Sequence, residues 1–311
     1  MERKALSFEY LPAPDFYDAN MPTGYCALVV NDGSPLTDSF ISKLKSKGTP
    51  VAVLNLSSIS NPISENGFNL TDATEQGIQS VLERVRTAVG KIGSFIHLHP
   101  KFTFEPGNFA KHFSVERDIL KTVFLIAKFI KEDLNVLGEK HYARFMTISQ
   151  MDGLLGKGKS GNVSIVGGGL TGLVKCLNLE WSSVFCRSVD IDPSLNSARA
   201  ADIVFEEYHD ANRGIIEVGY KDTQRLQPIE TLEEIADNTE IKASINEDSV
   251  FLVSGGAKGV TATCIKAMAE KFPCKFILLG RSDIGFEIPA YALGDHDERS
   301  LKALILSLIH I

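Results

Sequence analysis

The residues best suited to chemistry lie near the end of the chain. Ser254-Gly255-Gly256-Ala257-Lys258-Gly259-Val260-Thr261 follows the apolar run Val250-Phe251-Leu252-Val253. A Gly-x-x-x-Gly turn between a buried strand and a helix lets the backbone approach a diphosphate with no Cβ in the way. The amides and partial positive charge of the helix start then face the anion. The next apolar run, Phe276–Leu279, ends in Gly280-Arg281-Ser282. At the end of a second strand an acid reads a ribose 2′-hydroxyl, whereas an Arg pairs with a 2′-phosphate. Arg281, helped by Ser282, therefore selects NADPH over NADH.

A second constellation is Gly167-x-Gly169-x-x-Gly172, with Asp190 and Asp192 further on. In isolation it reads as a flavin or NAD fingerprint. Such a fingerprint normally opens its domain, and here several strand–helix units precede it. His97 and His99 flank Leu98 and share one face of a strand. No carboxylate or Cys lies near them in the local sequence, so a core or strand-end pair is expected, with no metal. Trp181 ends an apolar helical stripe and is expected to pack. The five cysteines, Cys26, Cys176, Cys186, Cys264 and Cys274, form no CxxC pair. Most sit in apolar runs and read as reduced, buried thiols of a cytosolic protein.

The elements that position these residues alternate. Strands are expected at 4–12, 26–30, 51–56, 94–99, 144–149, 185–191, 250–253 and 276–279. Helices are expected at 37–47, 71–90, 116–134 and 170–182, and after Gly259. Two short apolar pieces lie at 203–205 and 215–218. Connections too long for hairpins imply a parallel sheet covered by helices on both faces. The pattern occurs twice, nearly complete over 25–220 and newly begun at 248. The 311 residues are 44% hydrophobic and 23% charged, with a net charge of −7 and no basic run. That balance argues against nucleic acid and anionic membrane as partners. No apolar run approaches the ~20 residues needed to span a bilayer, and no signal peptide is visible.

The segments LVSGGAKGVT (252–261) and FILLGRS (276–282) together resemble the opening of the ketoreductase domain of modular polyketide synthases, especially those making polyunsaturated fatty acids. The resemblance implies an α/β, Rossmann-like doubly wound parallel sheet of the short-chain dehydrogenase/reductase type. It implies one degenerate copy followed by the first β-α-β of a second. In this family an inactive structural copy precedes the catalytic one, and 25–220 resembles the inactive copy. At its cofactor-loop position, Asn31-Asp32-Gly33-Ser34-Pro35-Leu36, only Gly33 remains, and the following strand ends in Asn55-Leu56 with no acid or Arg. The family's Ser, Tyr and Lys fall by register on Gln150, Val163 and Gly167. None suits the chemistry, and Ser149 beside the first has no proton donor.

The expected organisation is a leading strand and linker (1–24), a catalytically inactive structural subdomain (25–230), a linker (231–247) and the start of an NADPH-binding subdomain (248–311). Ser254, Gly255, Gly256, Ala257, Lys258, Gly259, Val260, Arg281 and Ser282 are expected to bind the cofactor, with Gly255, Gly256 and Gly259 at the pyrophosphate and Arg281, helped by Ser282, at the 2′-phosphate. The family reduces a 3-oxoacyl chain carried by an acyl carrier protein, in the cytoplasm and among other synthase domains. The catalytic Ser, Tyr and Lys are expected beyond Ile311. The alternatives are a non-catalytic scaffold and an FAD- or NAD-binding oxidoreductase using Gly167–Gly172.

Overall fold

The computed structural model describes residues 3–59, 61–102, 109–158, 164, 166–233, 244–256, 259–280 and 300. The chain divides into two compact units, Met1–Glu234 and Ile235–Ile311.

In the first unit the elements run β1 (Arg3–Tyr10), β2 (Tyr25–Val30), α1 (Pro35–Ser46), β3 (Val51–Leu56), β4 (Gly67–Leu70), α2 (Glu75–Ala88) and β5 (Lys91–Leu98). They continue with α3 (Phe109–Gly138), β6 (Ala143–Ser149), α4 (Gly167–Glu180), β7 (Val184–Ile191), α5 (Ser197–Tyr208), β8 (Glu217–Lys221) and β9 (Gln224–Glu233). The described strands form one sheet in the order β1-β9-β8-β7-β6-β5-β2-β3-β4. From β8 to β4 every pairing is parallel.

The apolar runs explain this layering. β3, β6 and β7 are buried at every position, as strands covered on both faces must be. Alternate residues feed two cores. Leu28, Leu54, Phe95, Phe145 and Cys186 pack with α2, α3 and α4. Val29, Val53, Ile96, Met146 and Val189 pack with α1 and α5. Each fully buried Leu, Ile or Phe is worth about 1.5–3 kcal/mol. Local caps fix where helices begin. Ser34, Thr74 and Asn196 accept from Leu36, Gly77 and Arg199 amides at the starts of α1, α2 and α5.

Three elements depart from the sequence expectation. The short strand β4 lies in what reads as a polar loop, because Gly67-Phe68-Asn69-Leu70 has no apolar run. The apolar piece 203–205 is the middle of helix α5. Strand β9, with Pro228 inside it, runs three residues into the expected linker. It joins β8 through a hairpin, against the expectation of no hairpins. Asp222 and Thr223 turn it, both at positive φ (50° and 79°), as tight hairpins demand. β1 then pairs antiparallel with β9.

A buried charge cluster locks this corner. Arg187 reaches Glu207 and Asp210 at 2.5 and 2.7 Å, and Arg225 reaches the same two acids at 2.6 Å each. Arg225 also donates to Pro12 O, and Asp210 accepts from the Asp15 amide, so the leading segment is tied in as well.

The second unit contributes β10 (Val250–Ser254), α6 (Gly259–Lys271) and β11 (Lys275–Leu279). β10 and β11 pair in parallel. Phe251 stacks on Phe276 with ring centroids 5.6 Å apart. Ala262, Ile265 and Met268 on α6, with Phe272 just after it, form the half-buried stripe. The other sheet face is bare, with Val250, Leu252, Ile277 and Leu279 all more than half exposed.

Candidate nucleotide-binding site

The described part of the turn after β10 holds two glycines in left-handed backbone. Gly255 and Gly259 sit at φ +69° and +63°, a region that side-chain-bearing residues rarely adopt. The Gly255 amide donates to Leu279 O at 2.7 Å, which ties the turn to the end of β11. At Gly256 a Cβ would fall 2.6 Å from Ile265 Cδ1 and 2.8 Å from Leu278 Cδ2, so a side chain there would push these two aside. Ser254 ends the strand, and Val260 is exposed on the first turn of α6. These five expected site residues therefore meet at one strand–helix junction. Ala257, Lys258, Arg281 and Ser282 lie outside the described residues.

The corresponding place in the first unit lies where the strand order reverses, between β2 and β5. Open α/β sheets bind ligands in that crevice. On the β3 and β4 side of it, the polar groups at the strand ends are engaged by the chain itself. Asp32 accepts from the Ser34 amide and hydroxyl and from Thr37 Oγ1. Asn31 Nδ2 donates to Asn55 Oδ1 at 3.0 Å and to Asn61 O at 2.8 Å. Asn55 Nδ2 in turn donates to Ile63 O and Asn69 Oδ1. Three asparagines thus bridge the ends of β2, β3 and β4. The loop after β3 covers Gly33: Asn61 donates to its carbonyl, and a Cβ there would lie 2.9 Å from Ile59 Cγ2. A cleft of about 160 Å³ remains beside Leu56, Leu70 and Ile119, below the ~300 Å³ at which ligand pockets begin.

No family model matches the sequence. Over 298 residues the chain is 26% identical to one subunit of the polyunsaturated fatty acid synthase of Thraustochytrium sp. (strain ATCC 26185 / S-3), covering 93% of this chain and 10% of that protein. Its fold is similar to a keto acid-selecting NRPS module containing adenylation, ketoreductase and pseudo Asub parts, with TM-score 0.66 and 14% identity over 97% of this chain and 24% of the other. It is similar also to an N-terminal ketoreductase from the macrolactin assembly line, with TM-score 0.64 and 13% identity over 91% and 54% of the two chains. The chain is a relative of that synthase protein and has a ketoreductase fold. It spans about a tenth of the length of the synthase protein.

Within this ketoreductase fold, the ends of β6 and β7 in the first unit hold a closed hydrogen-bond network. Asp190 accepts from Ser149 Oγ at 3.0 Å and from the amides of Met151 and Leu155 at 2.7 and 2.9 Å. Asp152 accepts from the amides of Leu154, Gly156 and Gly158. Burial, with the Asp152 carboxyl alongside, pushes the Asp190 carboxyl up to about 7, against the opposing pull of the amides. Gln150 is half-buried at the end of β6. Gly167 opens α4, where a Cβ would meet Met151 Sδ at 2.4 Å. Val163 lies outside the described residues.

The Gly167–Gly172 constellation sits in the first turns of α4, after β6 and away from the switch point. Gly169 faces Leu120 of α3, where a Cβ would come within 2.8 Å; it serves helix–helix contact. Gly172 has open space around it. Both acids that complete the fingerprint are committed elsewhere. Asp190 holds the loop after β6, and Asp192 pairs with Lys221 at 2.5 Å.

His97 and His99 are buried and in contact, Nε2 to Nδ1, at 3.2 Å. A carboxylate does reach them: Glu116 of α3 brings Oε1 to 3.8 Å from His99 Nε2. Local sequence could not show it, because the helix carries Glu116 back across β5. Trp181 packs edge-on against Phe145. Of the cysteines only Cys26 and Cys186 are buried, whereas Cys176 and Cys264 are exposed, because they fall on the outer faces of α4 and α6. Burial pushes the Cys26 and Cys186 thiols up to about 12. Among the described residues no group of three or more His, Cys, Asp or Glu could hold a metal, and no helix is long and apolar enough to cross a membrane.

Proposed function

We propose that this chain is the front of an NADPH-dependent β-ketoacyl reductase region in a multidomain polyketide or polyunsaturated fatty acid synthase. Residues 25–230 form its structural, catalytically inactive subdomain, preceded by a leading strand and linker (1–24). A linker (231–247) connects it to the nucleotide-binding subdomain beginning at 248. Ser254, Gly255, Gly256, Ala257, Lys258, Gly259 and Val260 hold the pyrophosphate, and Arg281 with Ser282 holds the 2′-phosphate. In the whole synthase a hydride passes from NADPH to the β-carbon of a 3-oxoacyl thioester on an acyl carrier protein. A proton on the oxygen completes the 3-hydroxyacyl product, and NADP⁺ leaves. The reaction takes place in the cytoplasm, among the other synthase domains.

The observation that carries this reading is the β10–α6 turn, where Gly255 and Gly259 take left-handed backbone and Gly256 packs closely on Ile265 and Leu278. These 311 residues hold no Ser–Tyr–Lys set in register, so the chain alone is expected to turn over no 3-oxoacyl thioester. The test is a fluorescence titration with NADPH, using NADH as control. Saturable binding that prefers NADPH and weakens in Arg281→Ala is the expected result. Equal binding of both nucleotides would refute the assignment of Arg281.

The sealed crevice of the first unit favours a second reading, a pure scaffold. In that case no nucleotide binds, and Arg281→Ala changes nothing.

A further inference from the structure

The two edges of the large sheet differ. At one, β4 is four residues long. At the other, β1 runs eight residues with no proline and in unbroken register with β9. Among the described strands none pairs with its outer side. Edge strands are ordinarily blunted by shortness, bulges, proline or charge. The cations of β1 do not guard its edge. Arg3 turns to Glu233 at 3.0 Å and Lys4 to Glu230 at 2.8 Å, both on β9.

The phase of the ladder shows which groups are open. The Leu11 amide donates to Arg225 O at 2.9 Å. Antiparallel pairs alternate, so the odd-numbered residues of β1 bond to β9, while Lys4, Leu6, Phe8 and Tyr10 direct N–H and C=O outward. Those four side chains share one face of the ribbon with Leu232, which stands opposite Lys4. On that face Leu6 is 50% exposed, Tyr10 71% and Leu232 72%.

We propose that β1 is a self-association edge. Two copies of this chain join β1 to β1, antiparallel, across a two-fold axis at Leu6, and the sheet continues from one copy into the other. A two-fold normal to a sheet keeps each face, so the axis must pass through a residue and not between two. Centring on Leu6 sets Arg3 opposite the second copy's Glu9, and symmetry makes that pair twice. It also brings the outward N–H and C=O of Lys4, Leu6 and Phe8 onto those of the second copy's Phe8, Leu6 and Lys4. Centring on Ser7 would leave Glu9 opposite Ala5, and centring on Ala5 would leave Arg3 opposite Ser7. Charge complementarity therefore selects both the occupant and the register. Arg3 and Glu9 are both exposed. The Arg3 guanidinium has donors to spare beside Glu233, and Glu9 is held only by Gln227, at Oε2, among the described residues.

This inference does not depend on nucleotide binding. The test is sedimentation equilibrium of the whole chain over a wide range of concentration. The wild-type chain is expected to dimerise reversibly. Leu6→Pro removes an N–H that β9 does not use, at an edge position where proline is tolerated. It should weaken the dimer at least about tenfold, with the far-ultraviolet circular dichroism unchanged. Glu9→Arg sets like charges opposite each other twice and should weaken the dimer by about the same factor. Arg3→Glu combined with Glu9→Arg restores opposed signs and should recover the dimer. That exchange decides the matter should Leu6→Pro disturb the fold. A wild-type chain that stays monomeric would overturn the proposal. So would a dimer that survives Leu6→Pro or Glu9→Arg at full strength, or one that the double exchange fails to restore.

Discussion

Two strand–turn–helix junctions in this chain occupy equivalent places in their sheets and have opposite character. After β2, the turn Asn31-Asp32-Gly33-Ser34 spends its polar groups on itself, on Asn55 and on the loop after β3. After β10, Gly255 and Gly256 carry no side chain, and Gly255 takes left-handed backbone. A polar side chain at such a turn satisfies the backbone and closes the crevice. Glycine supplies no such side chain, and the amides at the helix start are left for an anion. One strand–turn–helix arrangement is thus tied up by polar side chains in the first unit and carries two bare glycines in the second.

The contrast can be broken at several points. The largest effect is expected at Arg187, which anchors the closed unit. Arg187→Met leaves the buried carboxylates of Glu207 and Asp210 with Arg225 as the guanidinium they share and should cost the first unit about 3 kcal/mol, read by urea unfolding. NADPH affinity at the β10 turn should not follow. Next is the receptor turn itself. Gly256→Val drives its side chain into Ile265 and Leu278 and should weaken NADPH at least about tenfold, roughly 1.4 kcal/mol. The mirror change Gly33→Val should alter stability alone. Asn55→Leu removes the centre of the asparagine bridge and should cost about 1–3 kcal/mol through the unpaired groups it leaves, again with NADPH binding unchanged. Loss of NADPH binding in that variant would mean that the sealed crevice takes part in nucleotide binding.

A pH experiment sharpens the comparison at the ends of β6 and β7. The folded carboxyl of Asp190 lies at about 7, above its unfolded value of 3.8. Its contribution to stability is therefore complete below pH 3.8 and lost as pH rises through 7. Asp190→Asn should remove that downward slope, up to about 1.4 kcal/mol per pH unit, from the unfolding profile. A wild-type profile identical in slope to the variant's would contradict the raised value. The smallest effect is chemical: a thiol reagent should modify the exposed Cys176 and Cys264 in the native chain. Cys26 and Cys186, buried with thiols near 12, should react only on unfolding.

Long apolar strands were legible from sequence because burial on both faces demands them; Val51–Leu56 agrees residue for residue. The glycine turn at 255–259 was legible for a similar reason, since few residue types tolerate its backbone. Elements without a local signature were not. Strand β9 carries Pro228 and polar residues, and it exists because β1 and β8 flank it. Strand β4 is four residues held beside β3. Glu116 gives no hint in sequence of its nearness to His99, because the contact depends on how α3 lies over β5.

The sequence by itself determined the alternating α/β class, the places where a turn must be glycine, and the absence of a matching Ser, Tyr and Lys in the first copy. Those are properties of residue type and short-range spacing. The tertiary structure alone decided that Asn31, Asn55 and Asn69 join across three strands, that Arg187 and Arg225 share two acids, and that His97, His99 and Glu116 meet in the core. Each of those depends on bringing together side chains far apart in the chain. Packing and loss of solvent fix such contacts, and no local pattern encodes them.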